Sequence, residues 1–468
     1  MSKPTKSSNE VLRLIPSVDE LLRTDTAQKL RGSIGSKQLT SLARAVVGDI
    51  RSQVRSGHED NHTSTSLLEK AERRLEEAAE LEQSTGLAHV INATGVVLHT
   101  NLGRAALSAN ALRSIQEASR YCNLEYDTFS GSRGRRGVRV ESLLKQLTGA
   151  EDALVVNNCA SAALLILSVL AKDGETIVSR GELVEIGGDF RIPDVMATSG
   201  TRMIEVGTTN RTHLDDYRRA ITKDTRLLMR VHPSNYRIVG FASSPNLSEL
   251  VHLAREANLP LYEDAGSGQL TDLTPYGVTD EYSVSELVTN GADVISFSGD
   301  KLLGSAQAGL IVGKSQIVNR LRQHPLYRAL RIDKLRLAAL EASLESYQRN
   351  VETTELPVIR MLSLTQEAIR SRAQRLMDRI GDSRLNASLV DAESAIGGGA
   401  GPTAKLKTVA IALAHQQLSA EEIERHLRSS KPPVIARIAE NRVLIDLRTV
   451  FEDEEESVFQ ALNSLKTS

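Results

Sequence analysis

The chain has only two cysteines, Cys122 and Cys159, in 468 residues. That argues against a disulfide-built scaffold and a four-ligand zinc site, and it fits a reducing compartment. No apolar run approaches the ~20 residues of a membrane-spanning helix, and the opening MSKPTKSSNE is too polar for a secretory signal. The sequence therefore reads as cytoplasmic. A surplus of charge is also missing: 57 basic residues meet 59 acidic ones, so the whole-chain balance gives no argument for a nucleic-acid partner. What is there is the composition of an ordinary soluble protein, 40% hydrophobic and 25% charged, long enough for one large domain with smaller ones attached.

The stretch DVISFSGDKLLGSAQAGLIVG, residues 293–313, organises the rest. Residues 293–297 have the short, β-branched look of a buried parallel strand, Gly299 permits a sharp turn, and residues 309–313 read as the next strand. Lys301 thus falls in a tight turn between two core strands. There a lysine is either a snorkelling surface cation or an amine held in a cleft, where burial lowers its pKa and makes it nucleophilic. The segment LPLYEDAGSG, residues 259–268, shifts the balance towards the cleft, because it carries a second strand into Asp264, 37 positions before Lys301, and then into a glycine-rich turn. A carboxylate that keeps a pyridinium nitrogen protonated and a lysine that forms a Schiff base are what pyridoxal phosphate requires. Ser296 and Ser298 are candidates to give hydroxyls to its phosphate.

Residues 150–161 read as a strand running into an apolar helix over 160–171. A helix start offers free N–H groups and a positive dipole end, so Asn157, Asn158 and Ser161 are candidates for the phosphate seat, with Cys159 of unassigned role. Strand-like runs at 176–179, 202–206 and 226–231 alternate with helical ones. That predicts a mostly parallel sheet covered by helices, with ligands at the carboxyl ends of the strands. His232 falls at such an end, either as a capped structural histidine or as a group at the cofactor face. Arg133, Arg135, Arg136 and Arg139 stand among glycines in a loop that reads as flexible and cationic, suited to a phosphate of unspecified origin. Arg328 and Arg331 are three apart, so a helix would put them on one face, either solvated or gripping a tetrahedral oxyanion together.

Residues 362–380 read as a helical connector, and GGGAG at 397–401 marks a change of domain. A small α+β unit follows: strand 407–413, helix 420–427, a hairpin about Glu440 and Asn441, and a final helix from Asp453. Arg437 and Arg448 are its candidates for substrate contact. At the other end, residues 17–83 look helical, with a capping box at 17–20 and helices over 36–55 and 63–83. Before His58, ten Lys and Arg stand against five acids, a surplus of five. One reading is a solvated helical lid; the other is a surface for a phosphate backbone.

SFSGDKLLGSAQAGLIVGK at 296–314 closely resembles the lysine segment of bacterial selenocysteine synthases, the L-seryl-tRNA(Sec) selenium transferases. These are pyridoxal phosphate enzymes of the aspartate-aminotransferase fold type, fold type I. RGELVEIGGDFRIPDVM, EVGTTNRTH, VHPSNYRIVGF and HPLYRALRIDK are similar too, and the resemblance runs from about Val90 to the carboxyl terminus. It implies an α/β chain in three parts: a helical tRNA-binding domain over 1–85, a cofactor-binding large domain over 86–380 and a small α+β domain over 381–468. It further implies Lys301 as Schiff-base lysine and proton shuttle, Asp300 beside it to orient the amine or the donor, and Arg104, Arg328 and Arg331 on selenophosphate. No metal is implied. The reaction implied is β-elimination of the serine hydroxyl from L-seryl-tRNA(Sec) and addition of selenium from selenophosphate, in a homodecamer built from dimers with sites at subunit interfaces. Two other readings stand beside it. One is a pyridoxal phosphate lyase of a small amino-sugar acid or amino acid, which shares Lys301 and Asp264 but needs no amino-terminal module. The other is an RNA-binding protein on a degenerate scaffold, against which the joint presence of Lys301, Asp264 and the three arginines stands.

Overall fold

The computed structural model describes the chain except residues 1–10, 57–62, 85, 188–189, 280, 381–384 and 466–468. Lys3 and Lys6, counted in the basic surplus, and the first four residues of the expected small domain lie outside the described residues. The chain forms two compact units, Met1–His89 and Val90–Ser468. Among the described residues no helix is long and apolar enough to cross a membrane.

The first unit is all helical: α1 (Val18–Arg23), α2 (Asp25–Ile34), α3 (Ser36–Arg55) and α4 (Ser64–Ser84). Ser17 and Glu20 close the capping box that starts α1, each side chain taking the other's backbone N–H. Leu39, Ala43, Val46, Val47, Ile50 and Val54 recur at helical spacing along one face of α3, and all are buried against Leu21 of α1 and Leu67, Ala71 and Leu75 of α4. Helix α2, capped by Thr24, was not separable in sequence from the helix before it.

The second unit is built on seven strands: β1 (Asp152–Val156), β2 (Glu175–Ser179), β3 (Arg202–Val206), β4 (Thr225–Val231), β5 (Leu261–Gly266), β6 (Val294–Ser298) and β7 (Gly309–Gly313). Their spatial order is β1-β7-β6-β5-β4-β2-β3, and β7 alone runs antiparallel to its neighbours. The strands read as apolar runs because both faces are covered. Leu154, Val156, Met229, Val294 and Ile311 enter one cluster, with helix α5 (Cys159–Leu170). Val155, Leu228, Ile295, Phe297 and Leu310 enter the other, on the opposite face. Gly299 does serve the turn after β6, through close approach: a Cβ there would lie 2.6 Å from the Ala306 carbonyl oxygen.

Beyond this sheet come α6 (Pro325–Ala329), α7 (Lys334–Gln348) and the connector α8 (Gln366–Ile380). A second, antiparallel sheet has the order β8-β9-β11-β10, from β8 (Leu385–Ser394), β9 (Leu406–His415), β10 (Arg437–Ala439) and β11 (Arg442–Asp446). Glu440 and Asn441 join β10 to β11 with φ of 49° and 57°, the two left-handed residues of a tight hairpin turn. Helices Ala420–Arg428 and Glu455–Ser464 complete this part. Arg448 corrects its sequence reading. Its guanidinium is fully buried and donates to the carbonyl oxygens of Met361, Leu364 and Lys407 and to the Ser394 hydroxyl, so it ties the small sheet together and faces no cleft. Arg437 donates to the Glu393 carbonyl.

Candidate active site

The carboxyl ends of β1, β4, β5 and β6 open on one cleft, lined by Cys159, Ala160, Val231, His232, Ser234, Asp264, Gly266, Ser298 and Lys301. It holds about 320 Å³ of space, mouth included. Strand register sets the core of it. Asp264 on β5 stands opposite Ser296 on β6, so their side chains share a face of the sheet, and the Ser296 hydroxyl donates to Asp264 Oδ1 at 3.0 Å. Ser296 is fully buried and also bonds the Tyr262 hydroxyl at 2.7 Å. It therefore holds the aspartate, in place of the phosphate contact expected of it. The Cys159 thiol gives Asp264 Oδ1 a second, weaker donor at 3.5 Å, which supplies the role the sequence left blank. Asp264 Oδ2 accepts no hydrogen bond among the described residues.

Lys301 sits in the turn after β6, tied by the Leu302 N–H to the Ser267 carbonyl at 2.9 Å and by the Gly304 N–H to its own carbonyl at 2.9 Å. Its side chain is 5% exposed, and among the described residues its amine makes no hydrogen bond or ion pair. A buried amine without a polar partner is costly unless something else meets it. Burial pushes the Asp264 carboxyl above its ordinary range, and the Ser296 hydroxyl and the Lys301 charge pull it part of the way back. Burial and the Asp264 charge push the Cys159 thiol far up, so it stays a neutral donor.

The start of α5 lies at the same edge. Asn158 is its N-cap, and its side chain accepts the Ser161 N–H at 2.8 Å. The amides of Cys159 and Ala160, at the positive end of this 12-residue helix, have no partner among the described residues. Asn157 donates its N–H to the Leu330 carbonyl at 3.0 Å, which seats the segment after α6 beside β1. Of the anion-binding candidates, Arg104 reaches the site most directly: its Nη1 pairs with Asp300 Oδ2 at 2.7 Å, next to Lys301, from a backbone held at φ 61°. Arg331 bridges to Val156 at the end of β1 and lies 3.9 Å from Glu125. Arg328 is exposed on α6. The loop arginines are not free as the sequence suggested. Arg133 and Arg136 pair with Glu125, Arg135 with Glu141 and Arg139 with Glu345, all within 3.2 Å.

Two groups beside the cleft were missed in sequence. The arm Gly397–Gly401, read as a domain boundary, passes over the lysine so closely that a Cβ on Gly399 would lie 3.5 Å from Lys301 Nζ. Three consecutive glycines with positive φ were the signal for such an approach. Glu281, in a segment without periodicity, is buried beside His232 with its Oε2 3.4 Å from the imidazole Nε2.

The residues present fit pyridoxal phosphate. They offer an unpartnered buried amine, a carboxylate held by one oxygen with the other open, and two unpaired amides at a helix start. Among the described residues no cluster of three His, Cys, Asp or Glu could hold a metal ion.

Comparison with known proteins gives a consistent result. The family profile described as L-seryl-tRNA selenium transferase matches residues 90–451, and one described as selenocysteine synthase N terminal matches residues 12–51. The L-seryl-tRNA(Sec) selenium transferase of Moorella thermoacetica is 47% identical over 461 residues, covering 97% of each chain. The protein of the same description from Alkaliphilus oremlandii is 42% identical over 464 residues, covering 98% of this chain and 99% of its own. Among solved structures, D-glucosaminate-6-phosphate ammonia-lyase matches with a TM-score of 0.59 at 21% identity, over 83% of this chain and 99% of that one, which shows a shared fold.

Proposed function

The chain belongs to the L-seryl-tRNA selenium transferase family, and from that premise we propose that it converts L-seryl-tRNA(Sec) to L-selenocysteinyl-tRNA(Sec) with pyridoxal 5′-phosphate as cofactor. The observation that carries the reading is the open Asp264 Oδ2 and the unpartnered Lys301 amine facing one cleft. When bound, the cofactor supplies the electron sink that lets the seryl α-carbon lose a proton and its β-hydroxyl leave. Lys301 holds the cofactor and then moves the proton at the α-carbon. Asp264 keeps the proton on the ring nitrogen, with Ser296 and Cys159 fixing the carboxylate. The Cys159 and Ala160 amides take the phosphate. Arg104, Arg328 and Arg331 bind the anionic selenium donor, selenophosphate, and Asp300 keeps the Arg104 guanidinium beside the lysine.

The amino-terminal unit recognises the tRNA, a reading supported by the exposed basic face of α3 described below. The working assembly is a cytoplasmic homodecamer of dimers, and the fully exposed Tyr121 and Phe129 are the kind of surface such an interface covers. The lyase reading loses its support, since the likeness to an ammonia-lyase extends to the fold alone. The test is an assay of purified protein with serylated tRNA(Sec) and selenophosphate. Selenocysteinyl-tRNA is expected from the wild type and at least a thousandfold less from Lys301→Ala, which also loses the visible absorbance of the bound cofactor. Absorbance unchanged in that variant would overturn the assignment.

A further inference from the structure

Glu281 is a buried carboxylate on the far side of His232 from Lys301, lining a neighbouring cavity, and the reaction above gives it no task. Two hydrogen-bond donors and the edge of the His232 ring meet its two oxygens. The Ser267 hydroxyl, three residues past Asp264, donates to Oε2; the Gly401 N–H donates to Oε1 at 2.7 Å; and His232 Nε2 lies 3.4 Å from Oε2. Only a group with acceptors and no donor satisfies all three, so a carboxylate suits this place and an amide does not.

The imidazole has its other nitrogen committed as well. The Ser234 N–H donates to His232 Nδ1 at 3.1 Å, so Nδ1 presents a lone pair and the ring proton rests on Nε2, the nitrogen facing Glu281. His232 lines the Lys301–Asp264 cleft, and its backbone N–H donates to the Asp264 carbonyl at 2.9 Å. Protonating Nδ1 would set an N–H against an N–H. Burial acts in the same direction, holding the ring below its ordinary pKa, with Lys301 and Arg230 adding to the effect and Glu281 and Asp264 opposing it.

We infer that Glu281 is a positioning residue, which locks His232 as the neutral Nε2–H tautomer against the cofactor and ties that ring to the aspartate turn and the Gly397–Gly401 arm. This rests on the reading of the cleft as the pyridoxal phosphate site. It assigns Glu281 no contact with the substrate. A glutamine offers one acceptor oxygen to these three neighbours and so loosens the ring, whereas an aspartate keeps the acceptors and restores part of its hold.

The experiment is a double-mutant cycle on cofactor affinity, read by absorbance as apoenzyme is titrated with pyridoxal phosphate. Glu281→Gln is expected to raise the dissociation constant at least fivefold in the wild-type background and less than twofold in His232→Gln, with Glu281→Asp in between. Equal fold-changes in the two backgrounds would overturn the inference, because Glu281 would then act without His232. Wild-type protein that takes up no pyridoxal phosphate would instead sink the reading of the cleft itself. If Glu281→Gln does not fold, hydrogen–deuterium exchange at the imidazole C2 position of wild-type His232, followed against pH by mass spectrometry, decides. A midpoint below the ordinary 6.5 is expected, and one above it refutes the neutral tautomer.

Discussion

Glu263 and Asp264 are neighbours in β5 and point to opposite faces, so two adjacent carboxylates have different surroundings. Asp264 meets hydroxyl and thiol donors at the cleft. Glu263 is 3% exposed, accepts from Arg230 at 3.2 Å through Oε1, and has no partner for Oε2. Burial outweighs the arginine and pushes its pKa from 4.5 up to about 7. Between those values the native chain holds a proton that the unfolded chain has released, so this group's contribution to stability falls as pH rises across that window and levels off above it. Glu263→Gln keeps the acceptor for Arg230 and removes the titration. The difference in unfolding free energy between pH 5 and pH 7.5, measured with urea, is expected to shrink by on the order of 1 kcal/mol. An unchanged difference would show that Glu263 is already ionised at pH 5.

At the scale of elements, the antiparallel insertion of β7 between β1 and β6 is what brings the start of α5 to the lysine. Gly309 makes that insertion possible, since a Cβ there would lie 2.0 Å from the Asn158 carbonyl oxygen and 2.9 Å from Val156 Cγ2. Backbone cannot yield as a side-chain tip can, so Gly309→Ala is expected to destabilise the second unit by about 3 kcal/mol or more and to weaken cofactor uptake with it, as thermal unfolding and absorbance would report. Melting at the wild-type temperature would contradict this packing. Elements of this kind were legible in sequence. The strands around Asp264 and Lys301 are apolar runs bounded by glycine, and α3 spans residues 36–55 as its periodicity predicts. Three things were not legible. β8 alternates polar and apolar residues weakly, with only its two ends buried. The glycines of the Gly397–Gly401 arm mark a close approach but not its target, and no local pattern marks Glu281; both owe their place near Lys301 and His232 to tertiary contact. The loop arginines looked mobile because their partners Glu141 and Glu345 stand on other elements.

On the scale of the whole molecule, a chain with near-zero net charge must bind a polyanion through local asymmetry, and α3 carries it. Lys37, Ser41, Arg44, Gly48, Arg51 and Arg55 recur at spacings of four and three, so they share one face of the helix, and all six are exposed. At 1.5 Å per residue the stripe is roughly 27 Å long. Among the described residues none of its four cations is ion-paired. Gly48 lies at its middle, and a Cβ there would have nothing within 4 Å, so packing inside the unit gives no reason for a residue that costs about 1 kcal/mol in a helix. The RNA contact proposed for this unit would give one, the close approach of a sugar-phosphate backbone. Arg44→Ala combined with Arg51→Ala leaves the buried face of α3 untouched, so the melting temperature should not move. Affinity for tRNA(Sec), measured by anisotropy over a salt series, should fall at least tenfold near 100 mM salt. The slope of log affinity against log salt should drop by about two, one for each phosphate that the double variant no longer neutralises. A slope that stays at the wild-type value would move the RNA to another face of the protein.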